Sequence, residues 1–190
     1  MSAPTIACLK IVLHDVKPTV LRGVEVPLSI RLDQLHLVVQ AAMGWNNSHL
    51  YEIIAGNLSW GIVDEDDEAS RLDARDLRLC DVLSYGNALT YLYDFGDGWE
   101  HTITIEALTD PAPGFLYPRL VEAEGRCPPE DVGGPGGYAL FRKAILNPSH
   151  TRHLEYKHWI GEGFDPDAVN SQRLMDDVQT LAKHWSHLNR

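Results

Sequence analysis

Apolar and polar residues alternate along positions 5–13, a stretch rich in Ile, Val and Leu, and this two-residue period predicts a β-strand. Positions 15–18 carry turn chemistry. Positions 20–26 predict a second strand closed by Pro27, and the two together predict a hairpin. The period then lengthens: Leu32, Leu35, His36, Val39 and Ala42 or Met43 follow helical spacing. Ser29 or Asp33 is placed to cap the start of that helix, and Gly44 to end it in a left-handed conformation. After a turn at Trp45-Asn46-Asn47, positions 49–55 predict a third strand with His49, Tyr51 and Ile53 on one face. Positions 57–76 read as a polar, acidic connection, 77–83 as a strand or one helical turn, and 89–106 as a late hairpin. This order predicts an α+β fold: a mixed β-sheet with a helix packed on one face, a β-grasp-like core.

The pattern changes after Thr109. Asp110-Pro111-Ala112-Pro113-Gly114 is a loop, and the prolines and glycines of 126–137 predict a rigid, irregular segment. Helical spacing resumes over 138–146 and stops at Asn147-Pro148, and 150–160 predicts a short helix. Asp165-Pro166 predicts a cap followed by proline at the first helical position. A last helix is expected from about 167 to near 187, burying Val169, Leu174, Val178, Leu181 and Trp185. The 190 residues are enough for one well-cored domain, with 1–109 as a sheet-rich core and 110–190 as a Pro/Gly loop and C-terminal helices.

The polar chemistry concentrates in two blocks. The first is the run from Tyr91 to His101, with Asp94, Asp97, Trp99, Glu100 and His101 around two glycines. Asp97-Gly98 has the signature of a two-residue hairpin turn. Counting outward from it sets Asp94 opposite His101 and Leu92 opposite Ile103, with Glu100 on the other face. A carboxylate holding an imidazole is either a cross-strand pair or a poised base or metal ligand. The second block is Cys127-Pro128-Pro129-Glu130-Asp131-Val132-Gly133-Gly134. Its rigid backbone suits site residues, and Glu130 and Asp131 could bind a hard cation, act in acid–base chemistry, or cap the next helix. Cys127 could be a nucleophile only if a base or the flanking Arg126 activates it. Candidate site residues are therefore Asp94, His101, Trp99, Cys127, Glu130 and Asp131. Of these, Asp94, His101, Glu130 and Asp131 are the candidate metal ligands, and His36 and His49 are held in reserve. His150, His153, His158, His184 and His187 lack the glutamate of an H-E-x-x-H motif and read as surface or cap residues. Dinucleotide-binding, phosphate-loop and nucleophile-elbow motifs do not occur. A divalent metal is compatible with the composition but is not signalled by a standard motif.

Charge narrows the partners. The net charge is −11, which opposes direct nucleic-acid binding and favours a basic protein partner. The acidic run at 64–68 reads as a solvated loop, with a cation or basic-partner site as the sharper alternative. Three cysteines, odd in number and far apart, predict neither a disulfide framework nor a structural zinc site, and fit a reducing cytoplasm. No stretch approaches the ~20 apolar residues of a membrane span, and positions 1–10 do not have the form of a secretory signal.

Taken together, several segments resemble the plasmid pRiA4b ORF-3-like family. They are Leu9-Lys10-Ile11 leading to Lys17-Pro18, the helix with Leu35-His36 ending at Met43-Gly44-Trp45, and His49-Leu50. They continue with Tyr93 to His101, Cys127 to Asp131 with Gly133-Gly134, Gly137-Tyr138, and Phe164-Asp165-Pro166 with Asn170. The resemblance implies a bacterial protein carried on plasmids or near insertion sequences, in a family without an assigned reaction. The family often has tryptophan at the position of Leu21 and a second cysteine at that of Val132, so a cysteine pair that binds metal or cycles redox state is not expected here. Some relatives carry a resolvase label. A recombinase must neutralise DNA phosphates among clustered arginines, and no such cluster stands in this sequence.

Two functions follow as expectations. One is a non-catalytic binding module associated with plasmids or mobile elements, its two polar blocks lining one groove. The other is a metal-dependent hydrolase-like enzyme using Asp94, His101, Glu130 and Asp131. The second requires the two blocks to meet in space.

Overall fold

A computed structural model describes residues 5–63, 71–161 and 163–188. The acidic run at 64–68 lies outside them. The strands are β1 (Ile6–Leu13), β2 (Val20–Pro27), β3 (Tyr51–Ala55), β4 (Leu58–Gly61), β5 (Leu72–Asp73), β6 (Ala88–Tyr93), β7 (Trp99–Thr109) and β8 (Arg119–Glu124). The helices are α1 (Leu32–Met43), α2 (Leu79–Val82), α3 (Gly134–Ile145), α4 (His153–Ile160) and α5 (Ser171–Leu188). All the strands join one sheet in the order β5-β4-β3-β6-β7-β1-β2-β8. Every pairing is antiparallel except β4 with β5, so the sheet is mixed, as the α+β reading expects. No helix among the described residues is long and apolar enough to cross a membrane.

Alternation decides which face is covered. Ala7, Leu9, Ile11 and Leu13 point inward from β1, and their register partners Val26, Val24, Arg22 and Val20 do so from β2. Tyr51 and Ile53, Leu89, Tyr91 and Tyr93, and Trp99, His101, Ile103 and Ile105 continue the same buried face. The opposite face, with Lys10, Val12, Thr90 and Thr102, is half-exposed, as antiparallel sheets allow. Helix α1 lies on the buried face, with Leu32, Leu35, His36, Val38, Val39, Gln40, Ala42 and Met43 turned inward. Gly44, at φ 83°, ends it in the expected left-handed cap and donates to the Gln40 carbonyl. The start differs from expectation: Arg31 is the N-cap, and Asp33 instead ties the Arg31 side chain.

Several elements depart from the sequence reading. The connection at 57–76 contains β4 and β5, because Trp60 packs into the core behind a short turn at Gly56. The segment after Thr109 supplies β8, an edge strand shifted in register between Gly23 and Val24 of β2. Helix α3 starts at Gly134, inside the glycine run expected to be irregular, with proline in its first turn, where a missing N–H costs nothing. Asp165-Pro166 forms a turn and does not cap α5. The Asn170 side chain accepts from Arg173 N and caps α5 instead. Leu174, Val178 and Ala182 are the buried stripe of α5, which packs on α1 and β8. Phe141 of α3 is ringed by Tyr156, Trp159 and Phe164 and binds α4 to the rest.

Candidate metal centre

The hairpin β6–β7 forms, but not in the expected register. Tyr93 faces Trp99, Leu92 faces Glu100, and Tyr91 faces His101. The connection is thus the five residues 94–98, and the Asp97-Gly98 pair does not make a two-residue turn. Asp94 takes φ 56°, and its Oδ1 accepts from Gly96 N at 3.0 Å and Asp97 N at 3.2 Å, building a side-chain turn. The shift is three positions, an odd number, so it exchanges faces. Asp94 and His101 are therefore not a cross-strand pair, which corrects the sequence expectation.

Three candidates become core residues. His101 is fully buried. Its Nδ1 donates to the carbonyls of Tyr91 and Trp99, its Nε2 has no partner, and burial holds its pKa down to about 3. Trp99 is equally buried, packed near Trp45. Cys127 is buried, and desolvation raises its thiol pKa to about 12. The cation that opposes this shift is Arg22, not the flanking Arg126, and burial wins. Cys127 is a neutral thiol at physiological pH, which removes it as a nucleophile.

The remaining candidates converge. Glu130 Oε1 accepts from the Tyr93 hydroxyl at 2.6 Å, and its Oε2 accepts from Asn46 N at 3.1 Å and Asn46 Nδ2 at 2.8 Å. Tyr93 Oη in turn accepts from Ser48 N and His49 N. Asp97 Oδ2 accepts from Gly133 N at the start of α3, and a Cβ on Gly134 would overlap the Asp97 carbonyl oxygen. Trp45 donates from its indole to the Pro128 carbonyl. The two polar blocks therefore meet, joined by the loop that follows α1.

At the junction, His49 Nε2 lies 3.5 Å from Asp94 Oδ2 and 3.3 Å from Asp131 Oδ1. The three donor atoms all fall within 4.8 Å of one another, the one such group of His, Cys, Asp or Glu donors among the described residues. Nε2 is buried and aligned for a hydrogen bond with neither carboxylate. The 3.3 and 3.5 Å separations suit donors sharing one ion at roughly 2.0–2.2 Å each. Asn47 (φ 56°), Asp94 (φ 56°) and Asp131 (φ 60°) are three of the four non-glycine residues at positive φ among those described. Asn and Asp tolerate this region best, and its concentration at one place is a mark of positioned side chains.

A second layer orients the loop. Gln40 Nε2 donates to the Tyr91 hydroxyl at 2.9 Å, so that hydroxyl donates to His36 Nδ1 at 2.9 Å. His36 then carries its proton on Nε2 and donates to Asn47 Oδ1 at 2.6 Å, while Asn47 N donates to Gln40 Oε1. His36 also stacks on Tyr51, with ring centroids 3.6 Å apart. It is a positioning residue that holds Asn47, two loop positions before His49, and not a ligand.

Tyr93→Phe should expose the weak point of this arrangement. It leaves Ser48 N, His49 N and one Glu130 oxygen unpaired, at a cost on the order of 2–3 kcal/mol. A denaturant midpoint equal to that of the parent would show that water replaces the hydroxyl freely.

An α+β protein with one helix-covered sheet face and a loop-built His/Asp/Asp junction is the class that fold and site define. The plasmid pRiA4b ORF-3-like protein model matches residues 5–173, and the chain belongs to that family. It is 48% identical over 185 residues to an uncharacterized protein, y4hQ, from Sinorhizobium fredii, covering 96% of this chain and 95% of that one. Its fold is similar to the crystal structure of a protein of unknown function, MM3350, from Methanosarcina mazei Go1. That match has a TM-score of 0.82 at 24% identity and covers 90% of this chain and 98% of the other.

His49 is the residue that sequence reasoning held only in reserve. It stands just before β3, and the one signal for it was its place in the His49-Leu50 segment of the family resemblance.

Proposed function

We propose that the chain is a metal-dependent, hydrolase-like protein that holds one divalent cation with His49 Nε2, Asp94 Oδ2 and Asp131 Oδ1. The observation that carries this reading is the buried His49 nitrogen set between two carboxylate oxygens and hydrogen-bonded to neither. Three protein donors leave a position for water, and water on a divalent ion can ionise near neutral pH. The mixed nitrogen and oxygen donors favour Zn²⁺ or Mn²⁺ over Ca²⁺. Glu130 and Tyr93 fix the loops that carry the ligands, so acid–base chemistry would fall to the metal-bound water and to groups on the substrate.

Mn²⁺ added to tag-free protein should lose its free-ion electron paramagnetic resonance signal at one equivalent. His49→Ala and Asp131→Asn should each weaken binding by at least tenfold, while His101→Gln should leave it unchanged where the variant folds. Retention of Mn²⁺ by His49→Ala at parental affinity would remove this centre from consideration.

A non-catalytic module remains the second reading. It is favoured by the many hydrogen bonds that Glu130 and Asp97 spend on joining loops. A cytoplasmic setting, association with mobile elements and a basic protein partner accompany either reading, and a pull-down with and without Mn²⁺ tests the partner.

A further inference from the structure

Three arginines that are distant in sequence line one cleft of about 680 Å³, and Asp131 lines it too. We propose that this cleft is an oxyanion pocket that takes a small phosphate ester, with Arg126 and Arg173 as its cationic wall; its link to catalysis rests on the metal reading above.

The three guanidinium groups differ in what they have left to offer. Arg22 is fully buried and spends its donors on four backbone carbonyls, so it contributes field and not contact. Arg126 is clamped face-on to Phe164, its guanidinium 3.8 Å from the ring centroid. Among the described residues both of its hydrogen bonds leave from Nη1, to the carbonyls of Asp165 and Ala168. Its other edge is thus held rigid, with no carboxylate among the described residues hydrogen-bonded to it. Arg173 is 79% exposed along its side chain and meets Asp177 only at 3.8 Å, a surface pair of small worth. Burial holds the Arg126 pKa down, Asp165 and Tyr138 oppose this, and the Arg173 charge adds a smaller push downward.

The carboxylates on the same cleft are Asp131 and Glu130, and Glu130 spends both oxygens on Tyr93 and Asn46. A volume of this size fits a small molecule and not a duplex. Asp131 faces both the cleft and the His49–Asp94 junction. An oxyanion bound by the two arginines would thus share the cleft with Asp131, one of the residues that would hold the metal. Two guanidinium groups and one metal make three cationic anchors, which match the three peripheral oxygens of a phosphoryl group. A carboxylate presents only two.

The test uses the full-length chain, inorganic phosphate as probe, and Mn²⁺ binding read separately by paramagnetic resonance. Phosphate should bind the parent, and ³¹P relaxation should be enhanced when Mn²⁺ is present. Arg126→Gln and Arg173→Glu should each weaken phosphate by about tenfold or more, with Mn²⁺ affinity unchanged. Arg126 also ties two loop carbonyls, so Arg173→Glu at an exposed position carries the test if the first variant does not fold. Absence of phosphate binding to the parent at millimolar concentration, or parental binding in Arg173→Glu, overturns the pocket. Arginine-dependent phosphate binding without Mn²⁺ retention keeps the pocket and discards the metal centre. Mn²⁺ retention with arginine-independent phosphate binding does the reverse.

Discussion

Arg22→Ala is expected to lose on the order of 3–5 kcal/mol of stability, enough to unfold much of the protein at room temperature. Arg22 is 0% exposed, and among the described residues no carboxylate pairs with it. Its Nε donates to the Ala42 carbonyl at 2.7 Å, Nη1 to those of Leu21 and Glu124, and Nη2 to that of Gly125. The first of these lies in the last turn of α1, which contains no basic residue of its own. The guanidinium therefore does for the helix terminus what a local lysine would do, satisfying an orphan carbonyl and opposing the dipole. Truncation takes the guanidinium from one buried carbonyl, that of Ala42, and from three part-buried ones, those of Leu21, Glu124 and Gly125, each worth up to about 1–3 kcal/mol before relaxation. Lysine is a poor substitute, because a point charge cannot reach four acceptors arranged for a planar fork. Urea denaturation of Arg22→Ala and Arg22→Lys measures this. A loss under 1 kcal/mol for the alanine variant would mean that water enters and satisfies the carbonyls.

Acid should weaken the fold well before the carboxylates protonate. Burial lowers the pKa of His101 to about 3 and that of His36 to about 4, against an unfolded value near 6.5. For His36, the hydrogen bond to Asn47 opposes the shift but is outweighed. Both histidines are neutral in the folded chain, so the unfolded chain binds more protons below pH 6.5. Stability is then full above about pH 6.5, falls as the pH drops below it, and stops falling for each group near its folded pKa. At pH 5 each histidine should have removed about 2 kcal/mol, or about 4 kcal/mol for the pair. Protonating His36 at Nδ1 also breaks the Tyr91–His36–Asn47 relay, so the loop carrying His49 should loosen first. Guanidinium denaturation at pH 7.5 and pH 5.0 reads the loss, and nuclear magnetic resonance reads the histidines. A folded chain whose His36 and His101 signals titrate near pH 6.5 would contradict the burial argument.

Local periodicity made much of the fold legible. The β1–β2 hairpin, α1 with its Gly44 cap, the late hairpin and the α4 segment all follow from spacing and turn chemistry within short windows. The errors share a cause. Asp97-Gly98 carries the chemistry of a tight turn, yet Asp94, three positions earlier, closes a wider loop with its own side chain. The aromatic residues held the corrective signal: only the observed register buries Tyr91, Tyr93 and Trp99 together with His101. β8 was missed because an edge strand needs only a neighbour, and Arg119-Leu120-Val121 offers little alternation. α3 begins earlier than glycine content suggests because a helix's first turn tolerates residues that its middle does not.

The site was legible in its parts and not in its assembly. Asp94, Glu130 and Asp131 stood out by residue type and rigid surroundings, but their partner His49 and the arginines of the cleft come from separate segments. Nothing in a local window relates Arg22, Arg126 and Arg173. Only the docking of α5 and the Cys127–Asp131 loop on the end of α1 does so.

The strand order has a consequence in time. β1 pairs with β2, its neighbour in sequence, on one side, and with β7 on the other. As the chain leaves the ribosome, the first hairpin can close at once, but its outer edge must wait until Trp99–Thr109 has emerged. During that interval an apolar strand presents unpaired backbone groups to the cell. The β1–β7 seam, where two locally formed hairpins meet, is the step at which loop closure is paid for and at which this protein is most exposed to misassembly.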